Sequence, residues 1–229
     1  VLDLREFEGD PIQKILVHDY DTILNDKDVK VVVEVMGGVE PAHTFVKQAL
    51  ENGKSVCTSN KEMVAKYGAE LIQIAEDNNV NFLYEASVGG GIPIIRPLTS
   101  SLTCDDITEV SGILNGTTNY ILTKMRDEGA AFADVLREAQ EKGYAERNPE
   151  ADIEGYDACR KIAILTSLVC GQQVDYEDVH TEGITKITEK DFLYAKALKG
   201  SIKLLGTYQR MDGKAYVMVA PMIVSEKHP

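Results

Sequence analysis

The chain has 229 residues, of which 44% are hydrophobic and 27% charged, a composition typical of a soluble globular protein with one large domain or two modest ones. Its formal net charge of −13 argues against nucleic acid as a partner, although main-chain amides at helix N-termini can still hold a nucleotide cofactor. No apolar run approaches the roughly 20 residues that span a bilayer, and the acidic N-terminus lacks signal-peptide features, so neither a membrane partner nor secretion is expected.

The first third of the chain alternates β-branched runs with helical patterns. The predicted strands are residues 14–18, 30–36, 55–58 and 80–86, and the predicted helical segments between them are residues 20–24, 41–50 and 61–79. The Val-rich run 30–36 is expected to be buried on both faces. This alternation predicts a doubly wound parallel sheet, but no G-x-G-x-x-G turn follows a first strand, so we expect the sequence to begin partway through this domain.

A different pattern follows Gly91. The predicted elements are helices at 92–102, 117–127, 132–142 and 157–170, a strand at 107–114, and a hairpin of 204–211 and 215–224 around the Asp212-Gly213 turn. Gly171 is a natural C-cap for the last of these helices. The chain is therefore predicted to be an α/β protein, with a partial Rossmann-type parallel sheet in residues 1–93 and an α+β domain in residues 94–229.

The cysteines and histidines carry little functional information. The four cysteines include no CxxC pair, so disulfides are not expected and a reducing cytoplasm fits the chain better. The four histidines lack HExxH or any other metal-ligand spacing, and single histidines are usually structural or exposed. The sequence therefore does not predict a zinc site.

The densest group of charged residues is the segment 143–161, with the sequence GYAERNPEADIEGYDACRK. Asp157 and Lys161 are four residues apart, which places both on one face of a helix with the acid nearer the N-terminus. A lysine held in this way can protonate an alkoxide as it forms, or polarise a carbonyl group. The alternative is an exposed salt bridge worth less than about 0.5 kcal/mol.

Two other segments have a pattern that suggests ligand binding. In TSNKE, Lys61 follows the end of a predicted strand, where ligands bind in open α/β sheets, but it is equally well explained as a surface lysine after a helix cap. In EASVGGGIP, three consecutive glycines expose main-chain carbonyls that could bind a monovalent cation. The alternative for this second segment is a flexible hinge between domains.

These three segments, in this order and spacing, resemble the homoserine dehydrogenase family. The segment 143–161 matches every fixed position of that family's signature, G-Y-A-E-x-x-P-x-x-D-x-x-G-x-D-x-x-x-K. The blocks VVVEVMGG, TSNKE, EASVGGGIPII and GILNGTTNYI also match, so the resemblance covers nearly the whole chain. It implies an oxidoreductase that interconverts L-aspartate 4-semialdehyde and L-homoserine with NAD or NADP, in the synthesis of threonine, methionine and isoleucine.

The resemblance also implies roles for individual residues. Lys161 would be the general acid, Asp157 would orient it, and Lys61 would lie near the cofactor and the reacting carbon. The implied substrate-binding residues are Glu146, Asp152, Tyr144 and Asn115. The implied cofactor-binding residues are Lys61, Gly37, Gly38, Ser59 and Asn60. A sodium site would be formed by Glu85, Val88, Gly90 and Ile92.

The resemblance further implies a cytoplasmic homodimer or homotetramer with small-molecule substrates, in which residues 94–229 bind substrate and contribute to dimerisation. Arg147-Asn148 and Glu150 depart mildly from the family pattern at positions without a chemical role.

We expect the family's first dinucleotide-binding turn to precede Val1, and further sheet and helix to follow Pro229. The parent protein could also carry an ACT domain or a fused aspartate kinase. The rival interpretation is that the chain is a noncatalytic, dimerising fragment, and we expect the isolated chain to be inactive.

Overall fold

The computed structural model describes residues 1–225, 227 and 228, and it divides into two compact units, Val1–Gly90 and Gly91–Pro229. The first unit contains a three-stranded parallel sheet and the second a four-stranded mixed sheet, each combined with helices. The predicted α/β class is therefore confirmed. The domain boundary predicted after residue 93 and the division after Gly90 fall in the same loop.

The sheet of the first unit has the strand order β1-β2-β3. Its strands are β1 (Val31–Glu34), β2 (Ser55–Thr58) and β3 (Phe82–Leu83), and its helices are α1 (Tyr20–Leu24), α2 (Ala42–Glu51) and α3 (Lys61–Asp77). Helix α2 connects β1 to β2 and α3 connects β2 to β3, so the predicted parallel βαβ arrangement is confirmed.

Helix α2 shows why the connecting segments fold as helices. Its buried residues Ala42, Val46, Ala49 and Leu50 recur at helical spacing and form one apolar stripe. Helix α3 begins where predicted because the side chain of Asn60 accepts a hydrogen bond from the main-chain N–H of Met63, at 3.1 Å.

Two predictions for the first unit are wrong. Residues 14–18 do not form a strand, because Asp10 caps a 3-10 helix, Pro11–Ile15, that runs into this segment. Strand β1 is not buried on both faces: Val31 is 57% exposed and Val33 66% exposed. The side chains of Val31 and Val33 share one face of β1, and α2, the helix that packs on this strand, leaves that face uncovered.

Other elements of the first unit are shorter than predicted. Strand β1 ends at Glu34, whose carboxylate accepts the main-chain N–H of Met36 at 2.6 Å and turns the chain out of the sheet. The predicted strand 80–86 pairs only at Phe82–Leu83 and then continues as a 3-10 turn, Glu85–Ser87. Both turns place polar groups at the carboxyl edge of the sheet.

The sheet of the second unit has the strand order β4-β6-β7-β5. Its strands are β4 (Glu109–Gly112), β5 (His180–Thr181), β6 (Gly200–Met211) and β7 (Lys214–Ser225). Its helices are α4 (Ile95–Ser100), α5 (Gly116–Glu128), α6 (Phe132–Glu141), α7 (Glu150–Ile153), α8 (Tyr156–Cys170) and α9 (Glu189–Ala197). The predicted hairpin is confirmed and is longer than expected, with Asp212 and Gly213 both at positive φ, as a tight hairpin turn requires.

Helix α8 forms the centre of the second unit. Ile162 and Ala163 are fully buried and belong to the same core cluster as residues of β6 and β7. Gly206 permits this close approach, because a Cβ atom there would lie 3.2 Å from the Cβ of Ile162. The predicted C-cap is confirmed, since Gly171 has φ 66°.

Four described elements of the second unit were not predicted: α7, β5, α9 and the 3-10 helix Tyr176–Asp178. Helix α9 carries a sequence signal that could have revealed it, because the side chains of Thr188 and Asp191 form a capping box. Strand β5 has only two residues and depends on its parallel pairing with β7, so no periodicity reveals it. Among the described residues, no helix has the length and apolar character needed to cross a membrane.

Candidate active site

The corner between α7 and α8 brings two acids and one lysine together. Asp152 lies in α7, Asp157 lies in the first turn of α8, and Lys161 follows one turn later. The side chain of Asp157 is 4% exposed and that of Lys161 is 17% exposed, and the Nζ of Lys161 lies 2.7 Å from Oδ2 of Asp157. The carboxylate of this pair is therefore buried and its ammonium partly buried, unlike the exposed salt bridge that the spacing alone also allowed.

The ammonium group of Lys161 has a second hydrogen-bond acceptor and one remaining N–H donor. Its ammonium group donates to the main-chain carbonyl of Leu114 at 2.9 Å as well as to Asp157. An ammonium group has three N–H donors, and the third has no hydrogen-bond partner among the residues that the structure describes. Because two donors are held by fixed acceptors, the third has a defined direction and is available to a bound oxygen atom.

Asn115 joins this pair to the acid in α7. Its side-chain Nδ2 donates to Oδ1 of Asp152 at 2.7 Å and to Oδ2 of Asp157 at 3.0 Å. Its Oδ1 accepts the main-chain N–H of Thr118 at 2.9 Å and thereby caps α5. Asp152, Asn115, Asp157 and Lys161 thus form one continuous chain of hydrogen bonds.

The loop between α6 and α7 supplies the two other predicted substrate-binding residues. The hydroxyl of Thr117 donates to the main-chain carbonyl of Tyr144 at 2.7 Å, and the side chain of Gln140 donates to the carbonyl of Glu146 at 3.0 Å. Tyr144 itself is 56% exposed. The exposed carboxylate of Glu146 makes no hydrogen bond or ion pair with another described residue. The backbone is therefore fixed while both side chains remain accessible to a ligand.

Glu138 links helices α5 and α6 next to this loop. Its carboxylate accepts hydrogen bonds from Lys124, Lys142 and the hydroxyl of Tyr120, which lower the pKa of Glu138 to about 2. The ring of Tyr120 meets the ring of Tyr144 edge to face, with 5.1 Å between their centroids. Since the carboxylate stays ionised at neutral pH, this ion-pair cluster keeps α5 and α6 together under Tyr144.

The first unit has its own polar network at the carboxyl ends of β1 and β2. The buried carboxylate of Glu34 accepts a short hydrogen bond from the hydroxyl of Thr58, whose oxygen accepts the main-chain N–H of Asn60 at 2.9 Å. The amide of Asn60 donates to the main-chain carbonyl of Gly38 at 2.7 Å. The network holds the loop after β1 against the start of α3, at the sheet edge where ligands bind in open α/β folds.

The predicted cofactor-binding residues surround this network. Lys61 is the first residue of α3 and is half-buried, and Ser59 is exposed beside it. Gly37 and Gly38 face open space, since a Cβ atom at either would meet nothing within 4 Å, and Gly38 has φ +76°. The main chain there can approach a planar or phosphorylated ligand closely.

The glycine-rich segment after β3 is only partly available for a cation. The carbonyl of Glu85 accepts the main-chain N–H groups of Val88 and Gly89, at 3.2 and 3.3 Å. Glu85, Val88 and Gly90 belong to the first unit, whereas Ile92 belongs to the second. Among the described residues, no group of three or more His, Cys, Asp or Glu side chains is arranged to hold a metal ion, so a cation here would depend on main-chain carbonyls.

Comparison with known protein families gives a match for each of the two units. A family model described as homoserine dehydrogenase matches residues 93–229, and one described as the NAD-binding domain of homoserine dehydrogenase matches residues 8–85. The chain belongs to the homoserine dehydrogenase family. The predicted NAD-binding character of the first unit agrees with the match over residues 8–85.

Similar homoserine dehydrogenases include those of Bacillus subtilis, 45% identical over 98% of this chain, and Mycobacterium tuberculosis strain H37Rv, 47% identical over 96% of it. The matched regions cover 52% and 51% of those proteins, so the chain spans about half the length of these relatives. The crystal structure of a homoserine dehydrogenase from Thiobacillus denitrificans has a TM-score of 0.89 at 45% identity, covering 93% of this chain and 49% of that one. A hyperthermophilic archaeal homoserine dehydrogenase, solved in complex with NADPH, has a TM-score of 0.79 at 30% identity, covering 92% and 61%.

The residues inferred from the family resemblance fall into two groups. Those predicted for proton transfer and substrate binding all belong to the second unit, and hydrogen bonds join four of them, Asn115, Asp152, Asp157 and Lys161; the other two are Tyr144 and Glu146. Those predicted for the cofactor lie together in the first: Gly37, Gly38, Ser59, Asn60 and Lys61. Sequence reasoning missed Glu34 and Gln140, and it included Thr58 in the segment TSNKE without giving it a role, although these three residues hold the groups in place. The only signal for Glu34 was a charged residue inside a run of valines.

Gly183 allows α7 to reach its position. A Cβ atom at residue 183 would clash with the main-chain carbonyl of Ile153 and lie 2.5 Å from the Cα of Glu154. We expect Gly183→Ala to lower the free energy of unfolding by about 1–3 kcal/mol, because main chain rather than a flexible side chain must move. Thermal unfolding measures the change. Gly112→Ala is the matched control, since a Cβ there has its nearest neighbour at 4.0 Å; equal melting temperatures for the two variants would contradict the prediction.

Proposed function

We propose that the chain carries the proton-transfer, substrate-binding and part of the cofactor-binding residues of an NAD(P)-dependent homoserine dehydrogenase. The reaction is the interconversion of L-aspartate 4-semialdehyde and L-homoserine. The observation that carries the proposal is the partly buried ammonium of Lys161, which has two fixed acceptors and one N–H left for a bound oxygen. Family membership supplies the reaction class, and this geometry supplies a proton donor suited to it.

Reduction of the aldehyde requires a hydride at carbon and a proton at oxygen. The nicotinamide cofactor, when bound, supplies the hydride. Lys161 donates its third N–H to the aldehyde oxygen and transfers that proton as the oxygen becomes an alkoxide, which leaves a neutral amine. Asp157 remains a carboxylate throughout and orients the amine. Because the Lys161 side chain is 17% exposed, solvent can return the proton.

The substrate's polar end meets the acids of the second unit. Glu146 and Asp152 would bind the amino group of the substrate, since a carboxylate is the natural acceptor for an ammonium group. Tyr144 would cover the same pocket from the loop held by Thr117 and Gln140, and Asn115 lies beside Asp152. The reacting oxygen would then lie toward Lys161.

The cofactor would lie along the carboxyl ends of β1 and β2. Open space at Gly37 and Gly38 suits close approach to a ligand, and Ser59, Asn60 and Lys61 stand at the start of α3, where main-chain N–H groups favour negative charge. Lys61 would contact the cofactor and lie near the reacting carbon. In the loop after β3, a sodium ion would be held by main-chain carbonyls of the first unit, such as those of Val88 and Gly90. Replacing sodium by a bulky organic cation should then slow turnover.

The test is NADPH- or NADH-dependent reduction of L-aspartate 4-semialdehyde by the full-length protein. Turnover with either cofactor supports the proposal, and comparing the two establishes the cofactor preference. Absence of turnover with both, in a folded protein that binds the semialdehyde, would overturn it.

We also propose a cytoplasmic homodimer or homotetramer. The four free cysteines support a reducing compartment, and sedimentation measures the assembly.

Glu146 should affect substrate affinity more than turnover. We expect Glu146→Gln to raise the KM for homoserine by about 10-fold or more, with a smaller change in kcat, because the lost interaction is present in both ground and transition states. Steady-state kinetics in the oxidation direction measure both constants. Glu141→Gln, an exposed position at the end of α6, is the control. An unchanged KM would remove Glu146 from the substrate site.

A further inference from the structure

Asn115 is buried, with 6% of the residue exposed. Each hydrogen-bonding group of its side-chain amide has a protein partner. Its Nδ2 donates to Asp152 and Asp157, at 2.7 and 3.0 Å. Its Oδ1 accepts both the main-chain N–H and the hydroxyl of Thr118, at 2.9 and 3.0 Å. The amide has two N–H donors, and each has an acceptor. A bound substrate would therefore find no unused donor on Asn115.

We propose that Asn115 is a positioning residue, which contributes to the reaction through Asp157 and Lys161 rather than by binding the substrate. This inference rests on the function proposed above and refines the role predicted for Asn115 from the sequence. Oδ2 of Asp157 accepts from both Asn115 and Lys161. Two of the donors that orient this carboxylate therefore come from different elements, the N-cap of α5 and helix α8.

The chemistry of an amide suits this position. Two neighbouring carboxylates repel each other unless they share a proton or each receives a donor. The Nδ2 group gives one N–H to each carboxylate and does not titrate, so Asp152 and Asp157 can lie close together without a proton between them. The same contact fixes Asp157, Asp157 fixes the Lys161 ammonium, and the direction of its third N–H follows. Displacement of a reacting group by about 1 Å can cost roughly 10²-fold in rate.

The first variant is Asn115→Ser in the full-length protein. A serine hydroxyl can still cap α5, but it is too short to bridge two carboxylates, and it introduces no charge. We expect kcat to fall by about 10- to 100-fold with KM changed far less, and with only a modest change in melting temperature. A raised KM with unchanged kcat would show that Asn115 binds substrate directly. Unchanged values of both would show that it only caps the helix. Either result overturns the proposal.

The second variant, Asn115→Asp, serves also if the serine variant fails to fold. It keeps the shape and the helix cap but places a third carboxyl group among Asp152 from α7 and Asp157 and Lys161 from α8. When protonated, the new group can again donate one hydrogen bond. We therefore expect relative activity, compared with wild type at each pH, to recover as the pH falls. A ratio independent of pH would contradict the proposal.

Asn119→Asp is the matched control for this pH profile. Asn119 lies one turn later on α5, and its side chain accepts from Lys203 rather than from the site, at 2.6 Å. The same charge change there should leave the profile of the wild type. Failure of the proposed function is distinguishable from failure of the Asn115 role alone, because the wild-type protein itself would then lack turnover. In that case the role of Asn115 would be overturned as well.

Discussion

Replacing Lys161 by arginine is expected to lower kcat by about 10²- to 10⁴-fold while leaving the protein folded and able to bind NADPH. Arginine keeps the positive charge beside the buried carboxylate of Asp157, so the ion pair that stabilises this corner of the fold is retained. A guanidinium group does not give up its proton at any pH where the protein is folded. The variant therefore removes proton donation and leaves the charge in place.

The measurement is NADPH-dependent turnover of L-aspartate 4-semialdehyde, together with cofactor affinity and thermal unfolding. Lys190→Arg, on the exposed surface of α9, controls for the substitution itself. If Lys161→Arg turned over at the wild-type rate, the pair of Lys161 and Asp157 would be purely structural, and another group would have to supply the proton. A large fall in melting temperature would instead indicate that the guanidinium does not fit, and Lys161→Met would then be compared.

The second large effect is expected for Asp157→Asn, which should reduce both stability and turnover. Oδ2 of Asp157 accepts hydrogen bonds from Lys161 and Asn115, at 2.7 and 3.0 Å. An amide at this position must direct an NH₂ group or a less basic oxygen at one of these donors, and it leaves the Lys161 ammonium without its counter-charge. We expect the free energy of unfolding to fall by about 2–4 kcal/mol and kcat to fall at least about 10-fold.

Denaturant unfolding and steady-state kinetics measure the two effects of Asp157→Asn separately. Asp178→Asn is a matched change at an exposed position of the second unit and should alter neither. If Asp157→Asn lost stability but kept full turnover, Asp157 would not orient the proton donor. If it kept both, the hydrogen bonds around Asp157 would contribute little, in conflict with its 4% exposed side chain.

The sequence by itself determined the local features of this protein. Asn60 and Gly171 could be predicted as helix caps because capping is an interaction between residues a few positions apart. The spacing of Asp157 and Lys161 placed both on one helix face for the same reason. The family resemblance could be recognised because the segment 143–161 matches every fixed position of a long signature.

Only the tertiary structure decided which local patterns become buried and which form a site. The valines of β1 have the composition of a buried strand, yet Val33 is 66% exposed, because burial depends on the neighbours that a strand acquires. The pairing of Asp157 with Lys161 is local, but the partners that direct it, Leu114 and Asn115, are more than 40 residues away in the chain, with separations of 47 and 42. Contacts at such separations arise only when α5 and α8 pack on the same hairpin, and no short-range pattern specifies that packing.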